Sequence, residues 1–305
     1  MNVRMLAGLF SALLAVPVAG AATSPTTSPA PAAQKAVLVT GASTGIGRKV
    51  TERLAAEGWF VYAGARKDKD LAELDAIENV QSVRLDVTNA AEIAAAVETI
   101  TKAGRGLYGI VNNAGVSLRT PLLETKEEDF HYVMDVNVYG TFRVTKAFGP
   151  LVIAEKGRIT TISSIAGILS PPGLGVYSMS KHAMEGFGDT LALEMAPLGV
   201  HVSLIEPGNF RSEISRTAAK RMGAGANSPL ADRSQYPEPD AVATAVLHSM
   251  SDASPKRRYM VTPNAAEAEL TIKKAIEELV QLNQDQPYSY DRKALIEMLD
   301  ARLGQ

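Results

Sequence analysis

The chain has 305 residues, of which 46% are hydrophobic and 21% charged, and its formal net charge at pH 7 is -2. This composition predicts a globular protein with a large core, and the lack of a long basic run argues against nucleic-acid binding. The sequence contains no cysteine, which excludes disulfides, thiolate nucleophiles and zinc–cysteine sites. No metal site is predicted, because the four histidines do not follow a metal-ligand spacing: His131, His182, His201 and His248.

The N-terminal residues resemble a targeting segment. Arg4 precedes an apolar run from Met5 to about Ala22, and residues 19–21 (AGA) offer a small-residue cleavage motif. Residues 1–22 are therefore interpreted as a secretory signal peptide, and residues 23–34, rich in Thr, Ser, Pro and Ala, as a disordered linker. Two alternatives are an uncleaved membrane anchor and a start codon placed too far upstream, which would make the protein cytoplasmic. Membrane contact is expected only through this segment.

The first regular elements follow directly. Residues 36–40 (AVLVT) predict a strand, residues 41–47 (GASTGIG) a glycine-rich turn, and Arg48–Glu57 a helix. This order brings backbone N–H groups and the positive end of a helix dipole up to a pyrophosphate, and larger side chains would block the approach. The alternative is a tight turn that only holds a helix against a strand.

The alternation of strands and helices then continues. Apolar strands are predicted at residues 59–63, 80–85 and 107–111, with helices near residues 71–77 and 90–103 between them. Such alternation predicts a parallel, doubly wound sheet, in which a ligand binds beyond the carboxyl ends of the strands.

Three groups of residues fall at those carboxyl ends, namely residues 41–47, Asp86 and residues 112–115 (NNAG). The second strand ends in Arg66 and Lys67, with no acid before Asp68. Because NAD-binding sites place a carboxylate near this position and a 2′-phosphate needs an arginine, we expect NADP as the cofactor, with NAD possible. The alternative is that these cations are a solvated strand end.

Tyr177 and Lys181 are spaced four residues apart, which on a helix places both side chains on one face. A nearby ammonium favours the phenolate, so the pair could act as a general acid or base. Taken alone, the pair could equally be an amphipathic surface pair.

The C-terminal third predicts further elements of the same kind. Residues 200–205 predict a sixth strand, residues 237–251 a helix and residues 258–261 a last strand. Residues 214–236, rich in Ala, Gly, Ser and charged residues, are interpreted as a mobile lid over the substrate. Residues 264–305 form an extension with two predicted helices, at 265–284 and 291–303, expected to pack on the domain or on a second subunit.

Five motifs in order and register resemble the short-chain dehydrogenase/reductase family in its classical type. These motifs are TGASTGIG, NNAG, the Asn137 of MDVNVYG, GRITTISSIAG and YSMSK. The resemblance covers roughly residues 35–263 and implies a single Rossmann-type domain, with about seven parallel strands and helices on both faces of the sheet. The stretch GVHVSLIEPGNFRSE is also similar to retinol and hydroxysteroid dehydrogenases, which suggests a lipophilic alcohol or ketone.

The resemblance implies a role for each of four residues. Tyr177 would be the catalytic acid/base, and Lys181 would hold the nicotinamide ribose and lower the tyrosine pKa. Ser164 would hydrogen-bond the substrate oxygen, and Asn137 would hold a water that connects Lys181 to solvent. The chemistry would be hydride transfer between a nicotinamide and a carbonyl carbon.

The resemblance also implies that a Pro-Gly turn lies under the nicotinamide, and Ser212 stands where the family usually has a threonine. Together with the strand-end argument, it assigns the cofactor contacts to Gly41, Ser43, Thr44, Gly45, Ile46, Gly47, Arg66, Asp86, Val87, Asn113, Ala114, Gly115, Tyr177, Lys181, Pro207, Gly208 and Ser212.

The sequence thus predicts an NADP-preferring oxidoreductase that interconverts a ketone or aldehyde and an alcohol on a small or lipophilic molecule, and that forms a homodimer or homotetramer. One alternative is a catalytically idle, cofactor-sensing regulator or scaffold of the same fold. A second is a sugar-nucleotide epimerase or dehydratase, which the thirteen-residue spacing from Ser164 to Tyr177 disfavours. The exported appearance of residues 1–22 conflicts with the need for a cytosolic NADP pool.

Overall fold

The computed structural model describes residues 34–223 and 232–304. The predicted signal segment, all but the last residue of the predicted linker, and residues 224–231 of the predicted lid lie outside them. Within the described residues, seven strands form one parallel sheet in the order β3-β2-β1-β4-β5-β6-β7. The strands are β1 Ala36–Val39, β2 Phe60–Ala65, β3 Val80–Arg84, β4 Gly109–Asn112, β5 Arg158–Ile162, β6 His201–Pro207 and β7 Arg258–Val261.

Helices follow the strands and cover both faces of the sheet. In chain order they are α1 Gly45–Ala56, α2 Asp68–Asp75, α3 Ala90–Lys102, α4 Glu127–Met134, α5 Thr141–Ala154, α6 Gly175–Met195, α7 Ile214–Arg221, α8 Asp240–Ser251, α9 Ala265–Asn283 and α10 Arg292–Leu303. The predicted doubly wound Rossmann-type fold is confirmed.

Alternating side chains of the strands supply two cores. On β1, Val37 and Val39 belong to the core that also contains residues of α1 and α8, whereas Leu38 belongs to the core with residues of α3, α5 and α6. Since successive strand side chains point to opposite faces, a strand that is apolar at every position must be covered on both sides. This requirement explains the unbroken apolar runs in the sequence.

Two element boundaries differ from the prediction in ways that matter for the site. Helix α1 begins at Gly45 rather than Arg48, because the second half of the glycine turn already forms the first helical turn. Strand β6 continues to Pro207, which pairs with Val261 on β7 at the edge of the sheet. Proline is tolerated at this position because the pairing of β6 with β5 ends at Ile205, so no ladder bond to β5 is needed from the Pro207 nitrogen.

Helices α9 and α10 occupy the predicted C-terminal extension. Helix α9 begins at an N-cap, Asn264, whose side chain accepts from the Glu267 N–H. Within the part of the chain that the structure describes, no helix is long and apolar enough to cross a membrane.

Candidate active site

A cavity of about 1120 Å³ lies at the carboxyl ends of the strands. Nearly all of the predicted site residues line it, Asn137 being the exception. The two loops after β1 and β4, the end of β2 and the start of α6 therefore meet in one cleft, at the edge of the sheet where such folds bind their ligands.

The glycine turn fits a pyrophosphate. Gly41 and Gly45 have φ angles of +64° and +56°, which only glycine adopts without strain, and a Cβ at Gly47 would lie 2.2 Å from the Gly41 carbonyl oxygen. The N-cap residue of α1, Thr44, makes no side-chain cap bond, and no acid lies in the first turn. The helix therefore presents uncapped N–H groups and its positive end to the cavity, which is what a phosphate anion needs.

Thr40, which was not predicted as a site residue, joins the glycine turn to the loop after β4. Its hydroxyl oxygen accepts the backbone N–H groups of Asn113, at 2.9 Å, and Ala114, at 3.0 Å. The Asn113 side-chain amide in turn donates to the carbonyls of Thr40, at 2.8 Å, and Gly41, at 3.0 Å. The sequence feature that could have predicted this role is the hydroxyl of Thr40 directly before the glycine turn.

At the end of β2, Arg66 faces Asp86, with Nη1 and Oδ2 3.4 Å apart, while 59% of the Arg66 side chain stays exposed. Partial burial alone would raise the pKa of Asp86, but hydrogen bonds from Thr88 and the Arg66 charge outweigh it and lower that pKa. Asp86 is therefore ionised at neutral pH, and Arg66 is only partly neutralised.

Asn137 is buried, with 2% exposure, in a π-helical turn at Asp135–Gly140. Its side chain accepts the Val116 N–H at 2.8 Å and donates to the Val116 carbonyl and to the Ser180 hydroxyl, each at 2.9 Å. Asn137 thus ties the loop after β4 to helix α6. Its predicted role in holding a water stays a prediction.

Ser164, Tyr177 and Lys181 converge at the centre of the cavity. Ser164 caps the short 3-10 helix Ile165–Gly167 by accepting the Ala166 N–H at 3.1 Å, and its hydroxyl donates to the Pro207 carbonyl at 3.4 Å. Lys181 Nζ lies 5.7 Å from the Tyr177 ring centroid and donates to the Ile162 carbonyl at 2.9 Å. Helical spacing places both side chains on one face, as the sequence predicted.

Burial changes the pKa values of Tyr177 and Lys181 in this group. Burial raises the pKa of the Tyr177 phenol, which is opposite to the lowering by Lys181 that the family resemblance implies. The Ser164 side chain and the positive charge of Arg233 act against this rise. Burial also lowers the pKa of Lys181 to about 8, with the Glu185 carboxylate acting against the shift. Near neutral pH, Tyr177 therefore carries a proton that it can donate, and Lys181, with its pKa at about 8, remains mostly protonated beside it.

Behind the cavity lies an acidic cluster that the sequence did not reveal, made of Glu185, Asp189 and Glu206 around Arg258. Arg258 Nε lies 3.0 Å from Glu185 and 3.3 Å from Glu206, and Nη2 lies 2.8 Å from Asp189. Burial, followed by the Glu185 charge, raises the pKa of Glu206 to about 7, and Arg258 opposes the shift. Glu206 directly precedes the Pro-Gly turn at the cavity.

Within residues 34–223 and 232–304, no group of three or more His, Asp or Glu residues is placed to hold a metal ion. The fold and this cleft define a Rossmann-type, dinucleotide-binding oxidoreductase. The model of the short chain dehydrogenase family matches residues 35–223, and the chain belongs to that family.

Curated relatives agree with this assignment. The mitochondrial D-beta-hydroxybutyrate dehydrogenase of Rattus norvegicus is 35% identical over 269 residues, covering 76% of this chain and 78% of the relative. Retinol dehydrogenase 16 of Homo sapiens is 37% identical over 186 residues, covering 59% of this chain and 58% of the relative. The protein is thus a short-chain dehydrogenase with relatives that act on CH–OH groups.

A solved short-chain dehydrogenase/reductase from Burkholderia phymatum, in complex with NAD, superposes with a TM-score of 0.70 at 27% identity, covering 84% of this chain and 98% of that one. One from Burkholderia cenocepacia, in complex with NADP, gives a TM-score of 0.66 at 26% identity, covering 83% and 98%. Both cofactors occur among similar structures, which supports a nicotinamide cofactor here.

Proposed function

We propose that the protein is an NADP-preferring oxidoreductase that interconverts a ketone or aldehyde and an alcohol, with Tyr177 as the acid/base. The observation that carries the proposal is the meeting of Ser164, Tyr177 and Lys181 in the cavity, with Lys181 buried and its pKa lowered to about 8. Relatives named for hydroxybutyrate and for retinol support substrates that range from small to lipophilic.

The residues divide the work as follows. Ser164 and Tyr177 hold the substrate oxygen by hydrogen bonds and stabilise negative charge that develops on it. Tyr177 donates its hydroxyl proton to that oxygen in the reductive direction and takes it back in the oxidative direction. Lys181, fixed by the Ile162 carbonyl, keeps a positive charge near the phenol. A bound nicotinamide would supply or accept the hydride.

The residues that would hold the cofactor are the uncapped start of α1 for the pyrophosphate and Arg66 with Lys67 for the adenosine end. The exposed part of the Arg66 side chain leaves it able to contact a 2′-phosphate, while Asp70 and Asp86 are the acids that line this end. A guanidinium bound to a phosphate forms charge-assisted hydrogen bonds, which supports the preference for NADP.

A screen of aldehydes, ketones and secondary alcohols with NADPH and NADH tests the activity, read as net change in nicotinamide absorbance. We expect turnover by the native protein and loss of about 10³-fold in Tyr177→Phe, at unchanged thermal stability and cofactor affinity. Turnover that survives Tyr177→Phe would refute the assigned acid/base, and a cofactor-binding protein that turns over no compound would refute the enzyme proposal.

Cofactor choice is tested with Arg66→Gln. We expect the ratio of kcat/KM for NADPH over NADH to fall about tenfold, because a charge-assisted bond is lost only with NADPH. Arg53→Gln is the matched control, since Arg53 pairs with Glu57 on the outer face of α1 and does not line the cavity. An unchanged ratio in Arg66→Gln would refute this assignment.

We also propose that the protein forms a homodimer or homotetramer. Apolar side chains are exposed along α9 and α10, among them Ile272, Ile276, Leu279 and Leu299. Apolar surface of this extent favours association with a second copy. Light scattering at several protein concentrations tests it, and a monomer at all of them would contradict it.

A further inference from the structure

Arg233 is held at the substrate end of the cavity by neutral groups. Its Nε donates to the Ser215 hydroxyl at 2.8 Å, and its Nη1 donates to the Asn209 side-chain oxygen at 3.1 Å. The guanidinium carbon lies 4.9 Å from the Tyr236 ring centroid. These three neighbours fix the guanidinium in place, and all of them line the cavity with it.

Arg233 differs from the other arginines of the same stretch, each of which pairs with a carboxylate. Arg211 pairs with Glu238 at 2.6 Å, Arg216 with Glu213 at 2.8 Å, and Arg221 with Asp129 at 2.6 Å. Among the residues that the structure describes, no carboxylate lies within 4.0 Å of the Arg233 guanidinium. A fixed cation in a cleft without a protein counterion is suited to bind an anionic ligand group.

The position of this cation relates it to the reacting atoms. Its positive charge acts on the Tyr177 phenol and opposes the rise in the phenol's pKa that burial causes. An anion bound by Arg233 would therefore lie in the same compartment as the carbonyl that Tyr177 protonates. Glu267 is close to Asn209, which holds Arg233, but its carboxylate accepts the Asn209 backbone N–H at 2.8 Å.

Apolar side chains also line the cavity, among them Leu169, Leu174, Phe210, Ile214 and Leu270, together with charged ones such as Arg119, Lys220 and Lys274. The apolar side chains can contact the aliphatic part of a ligand whose charged end is held by Arg233. A guanidinium recognises a planar carboxylate through parallel hydrogen bonds, which gives geometry as well as affinity.

We propose that Arg233 binds the carboxylate of the substrate, so that the protein acts on an oxo acid and the corresponding hydroxy acid. This inference rests on the proposed function, because it names the substrate class of the same cleft. It makes Arg233 a specificity residue that distinguishes an acid from its uncharged ester or amide.

Binding without turnover gives the first test. Hexanoate and its uncharged counterpart hexanamide are titrated by calorimetry into the protein saturated with NADP⁺. We expect hexanoate to bind more tightly than hexanamide, and Arg233→Gln to weaken hexanoate about 30-fold while hexanamide changes less than about twofold. Arg233→Lys, which keeps the charge but not the planar fork, is expected to recover part of the affinity.

Arg211→Gln is the matched control. Arg211 braces the same segment by donating to the Ser234 carbonyl at 2.8 Å, but it does not line the cavity. Its replacement should leave hexanoate affinity within about twofold of the native value. Equal losses in Arg211→Gln and Arg233→Gln would show that Arg233 only braces the loop, and would overturn the inference.

Turnover gives the second test and separates the two proposals. A panel of oxo acids, with the ketone two to six carbons from the carboxylate, is compared with the methyl esters of the same acids. We expect native kcat/KM to favour the acids and Arg233→Gln to remove about 30-fold of that preference. Equal kcat/KM values of the native protein for acids and esters would overturn the oxo-acid inference but leave the proposed oxidoreductase function standing.

Two further outcomes are decisive. If hexanoate binds through Arg233 but no compound of any class is turned over, the proposed function fails and the anion site stands. If Arg233→Gln weakens NADP⁺ binding but leaves hexanoate affinity unchanged, Arg233 is a cofactor ligand and the inference is overturned.

Discussion

Lys181 lies on helix α6 and Arg258 contacts the same helix, but the two cations differ in burial and in the number of carboxylates around them. Lys181, with 6% exposure, donates to the Ile162 carbonyl, and the carboxylate that raises its pKa, Glu185, is four residues further along α6. Arg258, whose side chain is 39% exposed, lies within 3.3 Å of three carboxylates. Hydrogen bonding with Asp189, ahead of the effect of burial, raises the pKa of Arg258, whereas burial lowers that of Lys181.

This difference distinguishes a cation with a functional role, Lys181, from one with a structural role, Arg258. A buried cation without a paired carboxylate costs folding free energy, and it is retained where the charge acts on a ligand or on another reactive group. A cation surrounded by carboxylates has its charge balanced within the fold. Arg233, which is half-buried, resembles Lys181 in having no paired carboxylate among the described residues.

The largest effect is expected on removing the unpaired cation. Lys181→Met should lower kcat about 10³-fold, because Tyr177 loses the neighbouring charge and its acid/base function with it. Steady-state kinetics at saturating NADPH measure this. Lys146→Met is the control, because Lys146 is exposed on α5 and lies outside the cavity, and its kinetics should be native. Near-native kcat in Lys181→Met would show that the unpaired charge of Lys181 is not needed for catalysis.

Removing the paired cation should instead affect stability. Arg258→Met leaves Glu185 and Glu206 without a counterion, and we expect a loss of about 2 kcal/mol in the free energy of unfolding, less than for a fully buried pair because Arg258 is partly exposed. Urea denaturation at pH 8 measures it. Arg257→Met, one residue earlier and exposed, should cost less than about 0.5 kcal/mol. Equal stability of the two variants would contradict the structural role of Arg258.

The pH dependence of stability reports on Glu206. Its pKa, raised to about 7 in the folded protein, exceeds the ordinary 4.5, so the folded state holds the proton more tightly than the unfolded state. The free energy of unfolding should therefore fall as pH rises from about 4.5 to about 7. Glu206→Gln should lack this fall and be about 1–2 kcal/mol more stable than the native protein at pH 8. Parallel pH profiles of the two proteins would refute the assignment.

The smallest effect is expected at the exposed edge of the acidic cluster. Asp189 is 46% exposed, and its hydrogen bond with Arg258 is the main cause of its lowered pKa. Asp189→Asn should cost less than about 0.5 kcal/mol, because an exposed ion pair is screened by solvent. Chemical denaturation in low and high salt measures it, and a cost above 2 kcal/mol would show that Asp189, not Glu185, balances Arg258.

Much of the fold follows from the sequence because apolar runs and glycine turns are local signals. Six strands, β7 among them, and the glycine turn were predicted from continuous stretches of chain, whereas the total of about seven strands came from the family resemblance. The predicted start of α1 was three residues too late, at Arg48 and not Gly45, because the dihedral angles of a turn cannot be predicted from residue types alone.

The convergence of the cofactor-binding segments was predicted from the strand ends, and that of Ser164, Tyr177 and Lys181 from the family resemblance, but the residues that support them were not predicted. Thr40, Ser180 and Arg233 act through contacts between segments far apart in the chain, and nothing local distinguishes them from other polar residues. The acidic cluster joins α6, β6 and β7 in the same way. Only the fold shows that these charges meet.

The uncapped start of α1 links the stability of the fold to the supply of its cofactor. A missing N-cap bond leaves about 1 kcal/mol of helix stabilisation unrealised, and phosphate oxygens at Thr44–Gly47 would provide the absent acceptors. A ligand present at a hundred times its dissociation constant stabilises its protein by about 2.7 kcal/mol. We therefore expect the loaded enzyme to resist unfolding and proteolysis better than the empty one, so that its lifetime in a compartment follows the concentration of dinucleotide there.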